Sequence, residues 1–374
     1  MMHTRFLRAA SLIIVFFLLS VLLPACKQTP EPIKIGLVIN LSGRGGMAGE
    51  HIRDGALLAV REVNEGGGIN GRPLILLVRD DENNKDQIKK VDQSLINEGV
   101  VAIVGHSYSA NTITAYPLVT SRNTLLITGY TATNKLSGQD DLFLRTSVDC
   151  TLYGQKTAEL FNLRQVKSLA VIMDMVNPGF ALDYVKYLKE HFSGTVTEVR
   201  FTSKEDEDWP RIIGEVIAAG PDMVLSLAEA SVTGLAAQKL RKEGYSGPLA
   251  ASIWAQDPTL LDFGGKAVDN MSIVTFIPEE NSRPAYLAFA DRLQLEFKEK
   301  ANARSARSYE LIMILADALK RCPVITAQEL KRQLLAKKYE TLLGEVQFDQ
   351  YGDVIRTIYE VVVSDGHFRT KGVI

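Results

Sequence analysis

The chain has 374 residues, 46% of them hydrophobic and 23% charged, with a formal net charge of −2. That length exceeds one comfortable hydrophobic core, so two domains are expected, and the composition is that of a globular rather than a disordered protein. With near-neutral charge and no basic footprint, nucleic acid is excluded as a partner and a small or zwitterionic one is favoured.

The first 25 residues read as an export signal. Arg5 and Arg8 form its positive segment and residues 12–19 (LIIVFFLL) its apolar one. The apolar stretch of about 15 residues falls short of the ~20 that a membrane-spanning helix needs. Leu23-Pro24-Ala25-Cys26 resembles the bacterial lipobox, although Pro24 departs from the small or hydroxyl residue usual there. That resemblance implies lipidation of Cys26 and an extracytoplasmic protein anchored to a bacterial membrane. Residues 26–32 then form a short extended tether. An oxidising compartment permits a disulfide between Cys150 and Cys322, but buried, unpaired thiols are favoured, and the five scattered histidines show no metal spacing, so no cofactor or metal is expected.

From Ile33 onward strands and helices alternate. A strand over 33–39 leads through a glycine-rich loop into a helix with Ala56, Val60 and Val63 on one face. Strands over 74–78, 100–104 and 125–128 follow, separated by helices. This rhythm predicts a parallel, doubly wound sheet with ligand groups at the carboxyl ends of its strands. After residue 147 the rhythm restarts, with strands over 169–173, 196–201, 223–227 and 271–276. Helices over 285–300 and 308–320, a shorter one from Thr326 and a strand over 357–363 complete the chain. The fold class is therefore α/β, with two doubly wound Rossmann-like lobes joined by a hinge crossed more than once. Residues 33–147 with 278–355 make the first lobe, and 148–277 with 356–374 the second. Their strand ends would face a shared cleft. The acidic run 205–208 reads as a solvated loop, with Asp208 capping a helix beside Pro210.

Several segments carry chemistry. Gly43-Arg44-Gly45-Gly46-Met47-Ala48 fits the dinucleotide pattern GxGxxA, but the acid expected ~20 residues later is Glu62 or Glu65, inside a helix. Gly105-His106-Ser107-Tyr108-Ser109 approaches the nucleophile elbow GxSxG, but ends in serine, and Asp349 and His367 complete a triad in chain order only. An enzyme is not expected. The same loop has two other readings. Ser107, Tyr108 and Ser109 receive a carboxylate at a helix N-terminus, or a serine merely caps the helix. Residues 128–133 offer three hydroxyls and an aromatic wall, Tyr130, or else a turn with its hydroxyls satisfied. Glu229 either meets an ammonium group at a strand end or stabilises a helix N-terminus. Trp254 is cleft wall or core.

Asn40-Leu41-Ser42-Gly43 with Gly49, Gly55-Ala56 and the run 62–71 (EVNEGGGING) resemble the type I periplasmic binding proteins, nearest the leucine/isoleucine/valine- and amide/urea-binding group. Asp80-Asp81, Val104-Gly105 with Ser109, Ile127-Thr128, Phe143-Leu144-Arg145-Thr146 and Ser308-Tyr309-Glu310 extend the match over nearly all of 33–370. The resemblance implies two lobes with three crossovers that close on a small polar solute, an amino acid or similar, and deliver it to the permease of an ABC importer. A sensor docking to a signalling receptor, or a binder of amides or aromatic acids, is the alternative. By resemblance Ser109 holds the ligand carboxylate, with Thr131 or Thr133 doing likewise. Glu229 stands where branched-chain binders carry an aromatic. Pro178 stands where they carry a tyrosine, with Phe180 as the replacement ring, and Ala48 where they carry the first-loop aromatic. Asn83 and Tyr108 occupy the positions of one member's disulfide, so none is expected there. The scaffold follows from the resemblance; a branched-chain ligand does not.

Overall fold

The computed structural model describes residues 30–203 and 208–374. The signal segment, Cys26 and the start of the acidic run lie outside the described residues. Asp208 does cap the helix that follows it, accepting from the Arg211 amide.

Five strands build the first sheet: β1 (Ile33–Ile39), β2 (Leu74–Asp80), β3 (Ala102–Gly105), β4 (Leu125–Thr128) and β5 (Phe143–Arg145). All neighbours are parallel, in the order β2-β1-β3-β4-β5. Helices α1 (Gly46–Glu65), α2 (Lys85–Asn97) and α3 (Ser109–Ser121) connect them. Alternation along β1 decides which helix covers which face. Ile35, Leu37 and Ile39 pack with Ile52, Ala56 and Ala59 of α1, whereas Val38 joins Val91 and Leu95 of α2 and Val119 of α3.

The second lobe starts with α4 (Cys150–Leu163) and runs through β6 (Ser168–Asp174), α5 (Pro178–His191), β7 (Thr195–Phe201), α6 (Trp209–Ala218), β8 (Met223–Leu227), α7 (Ala230–Lys242), β9 (Leu249–Ser252), α8 (Pro258–Gly264) and β10 (Ser272–Thr275). Helices α9 (Pro284–Phe297), α10 (Ala303–Arg321) and α11 (Ala327–Leu335) follow, then a small hairpin, β11 (Tyr339–Thr341) and β12 (Gly344–Val346). The chain ends with β13 (Tyr359–Ser364) and β14 (His367–Val373), which extend the second sheet to the order β14-β13-β10-β9-β8-β6-β7. That sheet is not parallel throughout, because β13 runs antiparallel to β10 and β14 antiparallel to β13.

The chain thus passes between the sheets three times: from β5 into α4, from β10 toward α10, and from β12 into β13. The start of α10 is fixed by a capping box between Asn302 and Ser305. This helix lies so close on α1 that a Cβ on Gly55 would fall 2.1 Å from the Ser305 carbonyl oxygen. Its Leu311, Leu315 and Leu319 fill the first lobe's core, while Ala303 and Ala306 join a cluster that holds both Tyr108 of the first lobe and Phe180 and Trp254 of the second. The two lobes therefore share one apolar cluster across their seam. Cys150 and Cys322 are free, buried thiols, and no described helix is long and apolar enough to cross a membrane.

Candidate ligand cleft

The loop after β3 is shaped by a glycine and a buried histidine. Gly105 has φ +148°, and a Cβ there would lie 2.2 Å from the Val38 carbonyl oxygen. His106 turns inward, its Nδ1 2.7 Å from Asp81 and its Nε2 3.3 Å from Asp92, all three side chains fully buried. Burial by itself lowers the His106 pKa, but the Asp92 and Asp81 carboxylates outweigh it and hold the ring up at about 9. With His106 pinned, Tyr108 reaches the opposite lobe, where its ring meets Trp254. The Ser107 hydroxyl accepts from the Asn40 amide at 3.4 Å. No triad assembles: His367 Nδ1 bonds to the Asp365 carbonyl, and Asp349 accepts from amides of its own turn. Neither serine caps α3 by its side chain; the cap position is Tyr108.

The hydroxyls grouped from the sequence lie on the seam but are engaged within the protein. Ser109 Oγ accepts from the Ala132 amide at 3.2 Å, and Thr131 shares a hydrogen with Thr112 at 2.5 Å. Thr133 donates to Asp183 of α5 at 2.6 Å, and the Asn134 amide donates to the same oxygen at 2.9 Å. Just before α5, Asn177 accepts from the Ala110 amide at 3.0 Å, so the second lobe itself occupies the N-terminus of α3. Tyr130 turns toward the hinge, donating to the Arg304 carbonyl at 2.7 Å.

Tyr108, Phe180, Glu229 and Trp254 are brought together. Tyr108 and Phe180 each meet the Trp254 ring edge to face, with centroids 5.5 and 5.8 Å away. A cavity of about 210 Å³ opens beside them, lined by Asn40, Gly45 and Tyr108 from the first lobe and by Val176, Ser203 and Glu229 from the second. Gly45 keeps it open, since a Cβ there would lie 2.6 Å from the Tyr108 hydroxyl. A larger furrow of about 510 Å³ runs between α6 and α7, but its Lys239, Lys242 and Glu243 sit at the end of α7 remote from the strand ends. Glu229 is only 5% exposed and caps α7, accepting from the Ser231 amide and hydroxyl at 3.0 and 2.7 Å. Burial raises its pKa, against the pull of the Arg304 guanidinium.

Arg304, which sequence reasoning missed, crosses the seam. From α10 it donates to Asp257 at 2.6 Å and to the Trp254 carbonyl at 2.9 Å. Burial raises the Asp257 pKa, but Arg304, the Thr259 hydroxyl and amide and His51 together outweigh it and hold the carboxyl below its ordinary value. The available signal was the spacing of Arg304 and Arg307 beside Ala303 and Ala306, which puts two arginines on a helix face otherwise small and apolar.

Two lobes whose strand ends meet at a seam, with a charged, aromatic-walled cavity between them, define the class of receptors that enclose a small solute. The family described as periplasmic binding protein matches residues 32–367, and the chain belongs to it. It is an extracytoplasmic solute-binding protein and not an enzyme. It is 25% identical over 350 residues, 88% of this chain and 90% of the relative, to the leucine-, isoleucine-, valine-, threonine-, and alanine-binding protein of Pseudomonas aeruginosa. Among solved structures it resembles the branched-chain amino acid transporter substrate binding protein of Streptococcus pneumoniae in complex with isoleucine (TM-score 0.84, 20% identity, 92% of this chain and 99% of that one). It also resembles an ABC transporter solute binding protein from R. palustris in complex with benzoate (TM-score 0.82, 17% identity, 91% and 96% covered).

Proposed function

We propose that this protein binds an amino acid between its lobes and hands it to the permease of an ABC importer, with Cys26 as its lipid anchor. The observation that carries the reading is Glu229, a carboxylate buried in the cavity wall with, among the described residues, only Ser231 as a hydrogen-bond donor to it. An ammonium group is the natural partner for such an acid. Tyr108, Val176 and Val232 supply apolar surface for the rest of the solute, and Phe180 and Trp254 back Tyr108 from the buried cluster behind it. Relatives named for leucine, isoleucine, valine, threonine and alanine binding support the same class. Ser107, Ser109, Tyr130, Thr131 and Thr133 support the loops around the cavity in this reading. An aromatic acid is the second reading, favoured by Tyr108 in the cavity lining and by the similar fold that holds benzoate.

Calorimetric titration of an amino acid that raises the melting temperature, beside its analogue lacking the amine, tests the reading. Glu229→Gln should weaken the amino acid about tenfold to a hundredfold, from the ~1.5–3 kcal/mol of a charge-assisted hydrogen bond, and leave the analogue unchanged. Equal losses for both would remove Glu229 from the site. Cys26→Ser should release the protein from membranes; retention would assign attachment to the whole N-terminal segment instead.

A further inference from the structure

Four arginines are buried among the described residues, and three of them have carboxylates. Arg145 meets Asp353 at 2.7 Å, Arg304 meets Asp257 at 2.6 Å, and Arg356 meets Glu310 at 2.7 Å. Arg307 has none. It lies one helical turn after Arg304 on α10, donates to the Gly129 carbonyl, and leaves its Nε hydrogen without an acceptor. Its guanidinium lies over two rings, Tyr130 at 4.4 Å just past the end of β4 and Phe276 at 5.2 Å just past the end of β10. It therefore stands where the strand ends of both lobes meet. The nearby Tyr153 hydroxyl, also fully buried, makes no hydrogen bond of acceptable geometry. An unpaired buried cation beside an unused phenol is costly to keep, and the rings and the neighbouring Arg304 and Arg356 supply no negative charge to balance it.

On the reading that a solute is held between the lobes, we infer that Arg307 and Tyr153 receive the carboxylate of that solute at the hinge side of the seam. The unused Nε hydrogen of the guanidinium is a charged donor that a carboxylate accepts from. The carboxylate clamp comes from α10 rather than from the hydroxyls after β3 and β4, which are already engaged.

The twenty amino acids and benzoate are titrated individually against wild type, followed by the carboxamide of whichever binds best. Wild type should bind the acid at least about a hundredfold more tightly than the amide. Arg307→Met should abolish most of that difference while raising the melting temperature of the solute-free protein, because it removes an uncompensated buried charge. A structural arginine would give a lower melting temperature and unchanged affinity, which overturns the assignment. Tyr153→Phe should weaken the acid about tenfold and not the amide, a check that holds even if Arg307→Met does not fold. Amide and acid bound equally by wild type, or chloride competing as well as the acid, would also overturn it. If an amino acid binds wild type and the arginine variant alike, this inference fails and the amino-acid reading stands. If none of the carboxylates binds wild type, both fail.

Discussion

His106 sits between two carboxylates with no route to water, and that position gives the protein a defined response to pH. Its folded pKa of about 9 lies above the ordinary ~6.5, so its charged form contributes full stability below about pH 6.5. That contribution is lost as the pH rises through 9. Asp81 acts in the opposite sense. Burial raises its pKa, His106 and the Asn83 amide outweigh this, and its contribution is present above ~3.9 and lost on acidification. Melting temperature measured from pH 6 to 10 should therefore fall more steeply in wild type than in His106→Gln, by the equivalent of a few kcal/mol. His51 also titrates high beside Glu299, so the difference between the two profiles isolates His106. Parallel profiles would mean that the ring is uncharged in the folded state.

The strands with apolar runs were read from sequence almost to the residue: β1, β4 and β8 have the expected bounds, β7 differs by one residue at its start, and β6 by one residue at each end. Strands β5 and β9 were not read, since three and four residues give no periodicity and the Leu-Ala-Ala-Ser of β9 carries little strand preference. The edge strand β14 was missed for a different reason. Its residues are mostly exposed and polar, and they hold their place through backbone pairing with β13 rather than through burial. The site divides in the same way. Glu229 could be placed at the seam because it follows a strand end, which topology alone marks as the cleft side, whereas Trp254, open between cleft wall and core, lies in the buried cluster. Asn177, Asp183 and Arg304 were not, because each acts on a partner across the seam that only the folded chain brings near.

Arg304 ties α10, which packs on the first lobe, to Asp257 and the Trp254 carbonyl of the second. Breaking a buried ion pair by removing one member costs about 3–5 kcal/mol, and water reaching Arg304 in an opened cleft relieves most of it. Asp257→Asn should therefore open the solute-free protein rather than unfold it. Small-angle scattering should show a larger radius of gyration than wild type. An amino acid at about a hundred times its Kd should restore compaction, with ~2.7 kcal/mol of added stability. Identical radii without solute would show that the pair does not hold the lobes together. The three passages of the chain between the sheets also govern the order in which the molecule matures. The β1–β4 face is covered by α10 and α11, and the second sheet is completed by β13 and β14, so each lobe needs segments made after residue 300. Contacts so distant in sequence form slowly, and a chain still lacking them has no finished core to resist being threaded. Neither lobe therefore completes its core until the last strands of the chain are in place.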